Sequence, residues 1–251
     1  MTNYDKQFFD YVNSGAISSA RVLLPKLQHE LGIHSVLDVG CGLGAWLSIW
    51  RELGVQDIAG LDGEYVDRAQ LLIEASRFQP HDLSKAFDLS RRFDLVQSLE
   101  VAEHLPAANA ADFVASLVRH GSLVLFSAAP PGQGGDQHIN EQPYDYWKAL
   151  FEVHGFRALD CVRPLVADNT AVEPWYRYNT VLYAAGDQLD SLPTHWRDCL
   201  LGNDESLDDI SPLGYRIRKQ LVRILPVPVA TGVARLKERA VVRARRRGTE
   251  S

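Results

Sequence analysis

Residues 36–44 read VLDVGCGLG, an apolar run that holds one acid and then breaks into three glycines at every second position, and no other stretch constrains the chain as much. The spacing predicts a strand that turns sharply into the helix AWLSIWREL through Gly40, Gly42 and Gly44. Glycines there remove side chains that would keep a ligand off the backbone, and they accept the positive φ of a tight turn. The first turn of the helix aims unpaired N–H groups at the same spot, which suits a nucleotide-like cofactor. Asp38, inside the strand, can hold an amino group. Asp62 ends the next strand-like run, DIAGLD, where a carboxylate can accept both hydroxyls of a ribose. The glycines alone leave a second reading open, because Gly40, Gly42 and Ala45 also fit the G-x-G-x-x-A form of a dinucleotide site.

The pattern around this turn predicts strands at 35–40, 57–62, 77–81, 93–99, 122–129, 156–162 and 178–185, and helices at 44–53, 65–76, 108–119 and 144–154. Strands alternating with helices imply a Rossmann-like, doubly wound α/β sheet, mostly parallel and covered on both faces. Ligands bind such sheets at the carboxyl ends of the strands, where Gly40, Asp62, Asp82 and Glu100 all fall. Two amphipathic helical segments within residues 1–34 are expected to cover the cofactor mouth. The stretch PLVADNTAVEPWYRY between the last two strands reads as a loop, so the final strand should run antiparallel. Residues 1–186 would form one domain, 187–213 a polar linker and 214–251 a basic amphipathic tail.

In this order the elements resemble the class I S-adenosylmethionine (SAM)-dependent methyltransferases, over about residues 30 to 186. The resemblance implies a seven-stranded sheet with a reversed last strand and a SAM site made by Asp38, Gly40, Gly42, Gly44, Asp62, Asp82 and Leu83. Asp82 would accept from the adenine amine. A nicotinamide enzyme is the competing reading.

After the strand at 93–99, Glu100, Glu103 and His104 stand at i, i+3 and i+4, where one helical turn would gather them on one face. Two carboxylates and an imidazole suit a divalent cation, and a solvated turn is the alternative. The E-x-x-E-H run resembles the metal-binding run of the ubiquinone-pathway O-methyltransferases and the small-RNA 2′-O-methyltransferases. The latter resemblance makes His138 a fourth ligand, beside Mg²⁺ or Mn²⁺. As a general base His138 would instead take the acceptor's proton, with His104 and Glu103 beside it. Methyl transfer from a sulfonium needs mainly alignment, whereas a hydroxyl acceptor needs activation; this cluster therefore fits oxygen methylation. The loop Pro130–Gly135 can swing over the site. The string PPGQGGDQHINEQPYDYW resembles bacterial methyltransferases of glycan pathways, which implies a saccharide or lipid-linked glycan acceptor. A phenol or quinone-type acceptor, an RNA 3′ end, for which no separate RNA-binding module is visible, and a non-catalytic SAM-binding subunit are the alternatives. Aromatic residues at 144–147 and at Glu173–Tyr178 could line the acceptor; Trp147 and Phe151 suit a core face better.

Charge is divided along the chain. Residues 214–251 carry eleven Lys or Arg against Glu238 and Glu250, a net +9, so the first 213 residues carry −15 of a total of −6. Such a body is not expected to grip nucleic acid, because phosphate neutralisation drives that binding. The tail's amphipathic pieces can lie on an anionic membrane surface through 214–247, and a solvated helix or a disordered tail is the alternative reading. No run of about 18 apolar residues is present. The N-terminus does not read as a signal peptide, and Cys41, Cys161 and Cys199 are too scattered in sequence to pair, so a reducing cytoplasm is the expected compartment.

Overall fold

A computed structural model describes residues 3–202 and 204–223. Helix α1 (Asn3–Leu31) leads into β1 (Ser35–Val39), α2 (Ala45–Glu52), β2 (Asp57–Asp62), β3 (Phe78–Pro80) and β4 (Leu95–Leu99). Then come α3 (Ala110–Arg119), β5 (Leu123–Ser127), α4 (Tyr144–Val153), β6 (Phe156–Leu159), α5 (Val162–Val166), α6 (Pro174–Asn179) and β7 (Val181–Ala185). Helices α7 (Thr194–Arg197) and α8 (Leu213–Arg223) follow. The seven strands form one sheet in the order β3-β2-β1-β4-β5-β7-β6, parallel except for β7, which runs antiparallel to both its neighbours. This is the Rossmann-like α/β sheet that the alternating pattern predicts.

Strand periodicity divides the core into two layers. On β5, Leu123 and Leu125 face one side with Leu27, Ile49 and Trp50, while Val124 and Phe126 face the other with Phe113, Trp147 and Phe151. Trp147 and Phe151 are therefore core residues, as their helical spacing suggested.

Four local expectations are corrected. The two N-terminal helical segments are one helix, α1. Its break point is bridged because Gly15 packs on Glu173, where a Cβ would lie 2.8 Å from Oε1, and because Ser18 and Ser19 donate hydroxyls back to the Gly15 carbonyl. The predicted helix at 65–76 is absent. Asp67 caps a short 3-10 turn by accepting from Ala69 N (3.0 Å), and Leu72 N is drawn to the Leu43 carbonyl (2.8 Å), so the segment wraps the glycine turn instead. The stretch before β7 carries two short helices, α5 and α6, rather than a plain loop, yet it still returns the chain antiparallel. Residues 187–213 pack onto the body instead of spanning free: Leu192, Trp196 and Leu207 are buried, and Leu201 N bonds to the Ala158 carbonyl along the outer edge of β6. A covered edge strand cannot recruit another chain. The same packing sets the thiols of Cys161 and Cys199 beside each other, although sequence separation had kept them apart; both remain free.

Arg163 ties this segment down. Its fully buried guanidinium donates twice to Asp160 (both 2.6 Å) and once to the Asp208 carbonyl (2.8 Å), over the Tyr144 ring. Of the expected tail, α8 belongs to the described structure; 224–251 lie outside the described residues. No helix among the described residues is long and apolar enough to cross a membrane.

Replacing Arg163 by Ala would leave Asp160 without its cation and free the 199–211 segment. Breaking a buried pair from one side costs about 3–5 kcal/mol. Urea unfolding of Arg163→Ala should show a loss of that order, and a loss under about 1 kcal/mol would contradict this role.

Candidate active site

The glycine turn is held by the end of the neighbouring strand β2. Gly40 N donates to the Leu61 carbonyl (2.7 Å), and Gly42 N to Asp62 Oδ2 (2.7 Å). Gly40 has φ 85°, and a Cβ there would lie 2.2 Å from Val101 Cγ2, so only glycine lets the turn sit this low on the sheet. Gly42, at φ 53°, has open space on its Cβ side, as a ligand-facing position requires.

Asp38 is buried on β1, and its Oδ2 has no hydrogen-bonding partner among the described residues. Burial raises its pKa to about 7; the Gln97 side chain opposes this, and Asp62 adds to it. Gln97 is oriented by Trp50, whose Nε1 donates to its carbonyl (2.9 Å). An orphaned buried carboxylate next to a glycine turn fits the ammonium of an amino-acid moiety. Asp62 Oδ1 accepts from Gly63 N (2.6 Å) and from the Tyr65 hydroxyl. A ribose at Asp62 would take the place of that hydroxyl, which sits on a largely exposed side chain. Asp82 is less available than its sequence position suggests. It lies at the surface and accepts from the Ser84 hydroxyl (2.6 Å) and Lys85 (3.2 Å), which lower its pKa. Leu83 is buried against the core layer that contains Leu61.

Across the strand ends from the turn, Glu103, His104 and His138 bring one possible ligand atom each within 4.8 Å of one another. Glu103 and His104 lie on a 3-10 turn just past β4, and Ile139 N and Asn140 N both donate to the Glu103 carbonyl (3.0 Å), which pulls His138 in from the next loop. The Glu103 carboxylate is fully buried, and neither oxygen has a well-formed hydrogen bond among the described residues; burial, then Glu100, raises its pKa well above the usual carboxylate range. His104 is exposed at the surface, yet the protein packed around its ring, with His138 nearby, lowers its pKa to about 4. Its Nδ1 donates to the Gln137 carbonyl (3.3 Å), and His138 Nδ1 pairs with Glu141 (3.0 Å), so Nε2 is the uncommitted nitrogen on each ring; that of His138 lies over Gly135, where a Cβ would be 2.1 Å away.

Glu100, the fourth expected ligand, is not part of this group. It sits in the left-handed region (φ 58°), and its carboxylate is taken by Gln133 Nε2 (2.6 Å) and Asn179 Nδ2 (3.1 Å). Burial raises its pKa against those two donors. Asn179 also donates to Gln133 (2.8 Å) and accepts from the Tyr144 hydroxyl (2.9 Å). Sequence reasoning missed Gln133 and Asn179, and it gave Glu141, in the polar cluster beside His138, no role of its own. Glu141 pins the 130–135 loop by accepting from Gly132 N and Gly134 N (both 2.7 Å), so this loop is held here rather than free to swing. The only available signal was a short polar side chain within a glycine-rich loop; Asn179, at a helix end, gave none. Tyr176 and Tyr178, expected on an acceptor wall, are buried instead.

Residues 11–160 match the profile of the methyltransferase domain family. No curated protein matches the chain. Solved structures of similar fold include the sugar N-methyltransferase KedS8 of Streptoalloteichus sp. ATCC 53650, at 19% identity over 67% of this chain and 87% of that one, with a TM-score of 0.52. The methyltransferase domain of bacterial CtHen1-C matches at 18% identity over 68% of this chain and 99% of that one, with a TM-score of 0.51. SAM-bound CalS10, an amino pentose methyltransferase of Micromonospora echinaspora, matches at 15% identity over 70% and 95%, with a TM-score of 0.50.

The two turn glycines separate steric from conformational cost. Gly40→Ala, which meets Val101 and also strains φ, should lose about 3 kcal/mol in urea unfolding, and Gly42→Ala about 1 kcal/mol from φ alone. Adding Val101→Ala to Gly40→Ala should recover part of the loss. Equal losses at the two positions would contradict the packing of the turn.

Proposed function

Because the chain belongs to the methyltransferase domain family and is a SAM-dependent methyltransferase, we propose that its acceptor is a saccharide hydroxyl, readied by a divalent cation, Mg²⁺ or Mn²⁺, at Glu103, His104 and His138. The observation that carries this reading is the convergence of a buried, unpartnered carboxylate with two imidazoles whose Nδ1 atoms are already committed. A mixed oxygen and nitrogen donor set of that kind fits such a cation.

SAM, when bound, supplies a methyl group already activated on a sulfonium. The chain then has to position and to deprotonate. Asp38 would accept from the amino group, Asp62 would hold the ribose, and the bare backbone of Gly40 and Gly42 would let the cofactor lie against the strand ends. Aligning donor and acceptor in one cleft replaces a bimolecular encounter with a local one. A cation at the triad would lower the pKa of a bound hydroxyl. A metal-free reading rests on the His138–Glu141 pair, in which Nε2 of His138, backed by the carboxylate, would take the acceptor's proton directly. The sugar class is supported by the glycan-pathway resemblance of residues 130–147 and by the names of two neighbours, a sugar N-methyltransferase and an amino pentose methyltransferase. The oxygen assignment comes from the acid–imidazole cluster. The −15 charge on residues 1–213 argues against a nucleic-acid acceptor.

Methyl transfer from SAM to a panel of nucleotide sugars and glycans tests the reading. His104→Ala and His138→Ala should each lose at least about a hundredfold in kcat while keeping S-adenosylhomocysteine affinity, a loss in the range of a missing acid–base group. EDTA should abolish turnover and Mn²⁺ restore it. Turnover indifferent to EDTA would remove the cation, and transfer to amino sugars alone would remove the oxygen.

Asp38 adds a pH signature. Its folded pKa of about 7 lies above the unfolded value, so the ligand-free protein is most stable below about pH 4 on this account and loses that contribution as pH rises through 7. A bound ammonium favours the ionised form. S-adenosylhomocysteine affinity should therefore rise by up to about tenfold per pH unit below 7, level off above it, and release a proton on the rising side. Calorimetry between pH 5.5 and 8 reads this, and Asp38→Asn should flatten the profile; a parent profile already flat would contradict the role of Asp38.

A further inference from the structure

Helix α8 is mounted the wrong way round for an ordinary surface helix. Its inner face is polar: Lys219, 4% exposed, pairs with Asp209 (2.5 Å), Arg218 donates to the Gln133 carbonyl (3.2 Å), and Tyr215 packs near Tyr178 (5.7 Å between centroids). The Lys219 backbone presses on Gly132, where a Cβ would lie 2.0 Å from the Lys219 carbonyl oxygen. The apolar face points out. Leu213, Ile217 and Leu221 are 65%, 52% and 60% exposed and recur every four residues, which places them in one line along the helix. Exposed Arg216 and Arg223 flank that line.

We propose that the outer face of α8 is a seat for an anionic lipid bilayer. A line of three large apolar side chains beside arginines has the composition of a helix that lies in the headgroup region, with apolar groups below and cations at the phosphates. The chain that follows α8 adds seven Lys or Arg against two Glu over residues 224–251, together with Ile, Leu and Val. Opposite charges at the two ends of the chain fix the approach. An anionic surface attracts the tail and repels a body of −15, so the protein meets the bilayer with α8 first. A nucleic acid would use the arginines but has no use for the apolar line, and a second copy would bring its own basic tail against this one. Through Arg218 and Lys219 the inner face of α8 holds the 130–135 loop, so the seat and the rim of the active site form one unit. The proposal is independent of which acceptor the enzyme uses.

Sedimentation of the full chain with vesicles of phosphatidylcholine alone, or with phosphatidylglycerol added, tests this. Two variants accompany it: Leu213→Gln/Ile217→Gln/Leu221→Gln and Arg216→Gln/Arg223→Gln. All five side chains are exposed, and an unchanged thermal shift with S-adenosylhomocysteine checks that each variant is folded. The parent should pellet with the anionic vesicles and not the neutral ones. The apolar variant should partition at least about tenfold less, and the arginine variant several-fold less. Equal pelleting of parent and apolar variant overturns the proposal, as does a parent that stays in the supernatant with both vesicles. A parent dimer in ultracentrifugation that the apolar variant dissolves would assign the line to a second copy and overturn it as well.

Discussion

The close approach of the glycine turn to the ends of β2 and β4 is the constraint on which the rest of this structure hangs. Gly40 lies against Val101 and Leu61, and Gly42 is held by Asp62, so the loop after β1 is pressed down onto the sheet rather than arched above it. A turn that low leaves a shelf over the carboxyl ends of the parallel strands. It also brings the chain just past β4 into the same neighbourhood as the carboxyl ends of β1 and β2, and those positions carry Glu103, Asp38 and Asp62.

The shelf is lined by charge the fold does not satisfy. Asp38 and Glu103 are both buried with oxygen atoms that lack good partners, and both have raised pKa values because burial disfavours the charged form. An isolated buried carboxylate destabilises a fold unless something compensates it. On the proposed reading, two such groups at the carboxyl ends of β1 and β4 mark a site whose complement arrives from outside: an ammonium for one and a metal cation for the other. Glu100 shows the contrast. It is buried in the same neighbourhood, close enough to act electrostatically on Glu103 and to feel His138, yet Gln133 and Asn179 supply donors to it.

Much of this was legible in the sequence where chemistry and sheet position coincide. Asp38 and Asp62 are readable because a strand end dictates where its last side chains go, and Glu103 and His104 because they are adjacent on the turn after β4; the helical spacing that would have added Glu100 does not hold, since the backbone at 100 turns left-handed before a three-residue 3-10 turn. Residues 65–76 were misread because an apolar period says nothing of a backbone recruited by the glycine turn, as Leu72 is by Leu43. The Glu100 network was not readable at all. It joins residues 33 and 79 positions away through neutral amides that carry no signal of their own. The amphipathic period of α8 was visible, but which of its faces would turn inward depended on Asp209 and the glycines at 132 and 134, and hence on the completed fold.

The central claim is that one cleft holds the methyl donor at the glycine turn and an acid–imidazole cation site within reach of it. A crystal structure with S-adenosylhomocysteine and Mn²⁺, with anomalous differences recorded for manganese, tests it most directly. The account predicts the amino-acid end of the ligand at Asp38, its ribose at Asp62, and one anomalous peak bounded by Glu103, His104 and His138. An empty glycine turn, or manganese bound only elsewhere, would contradict it.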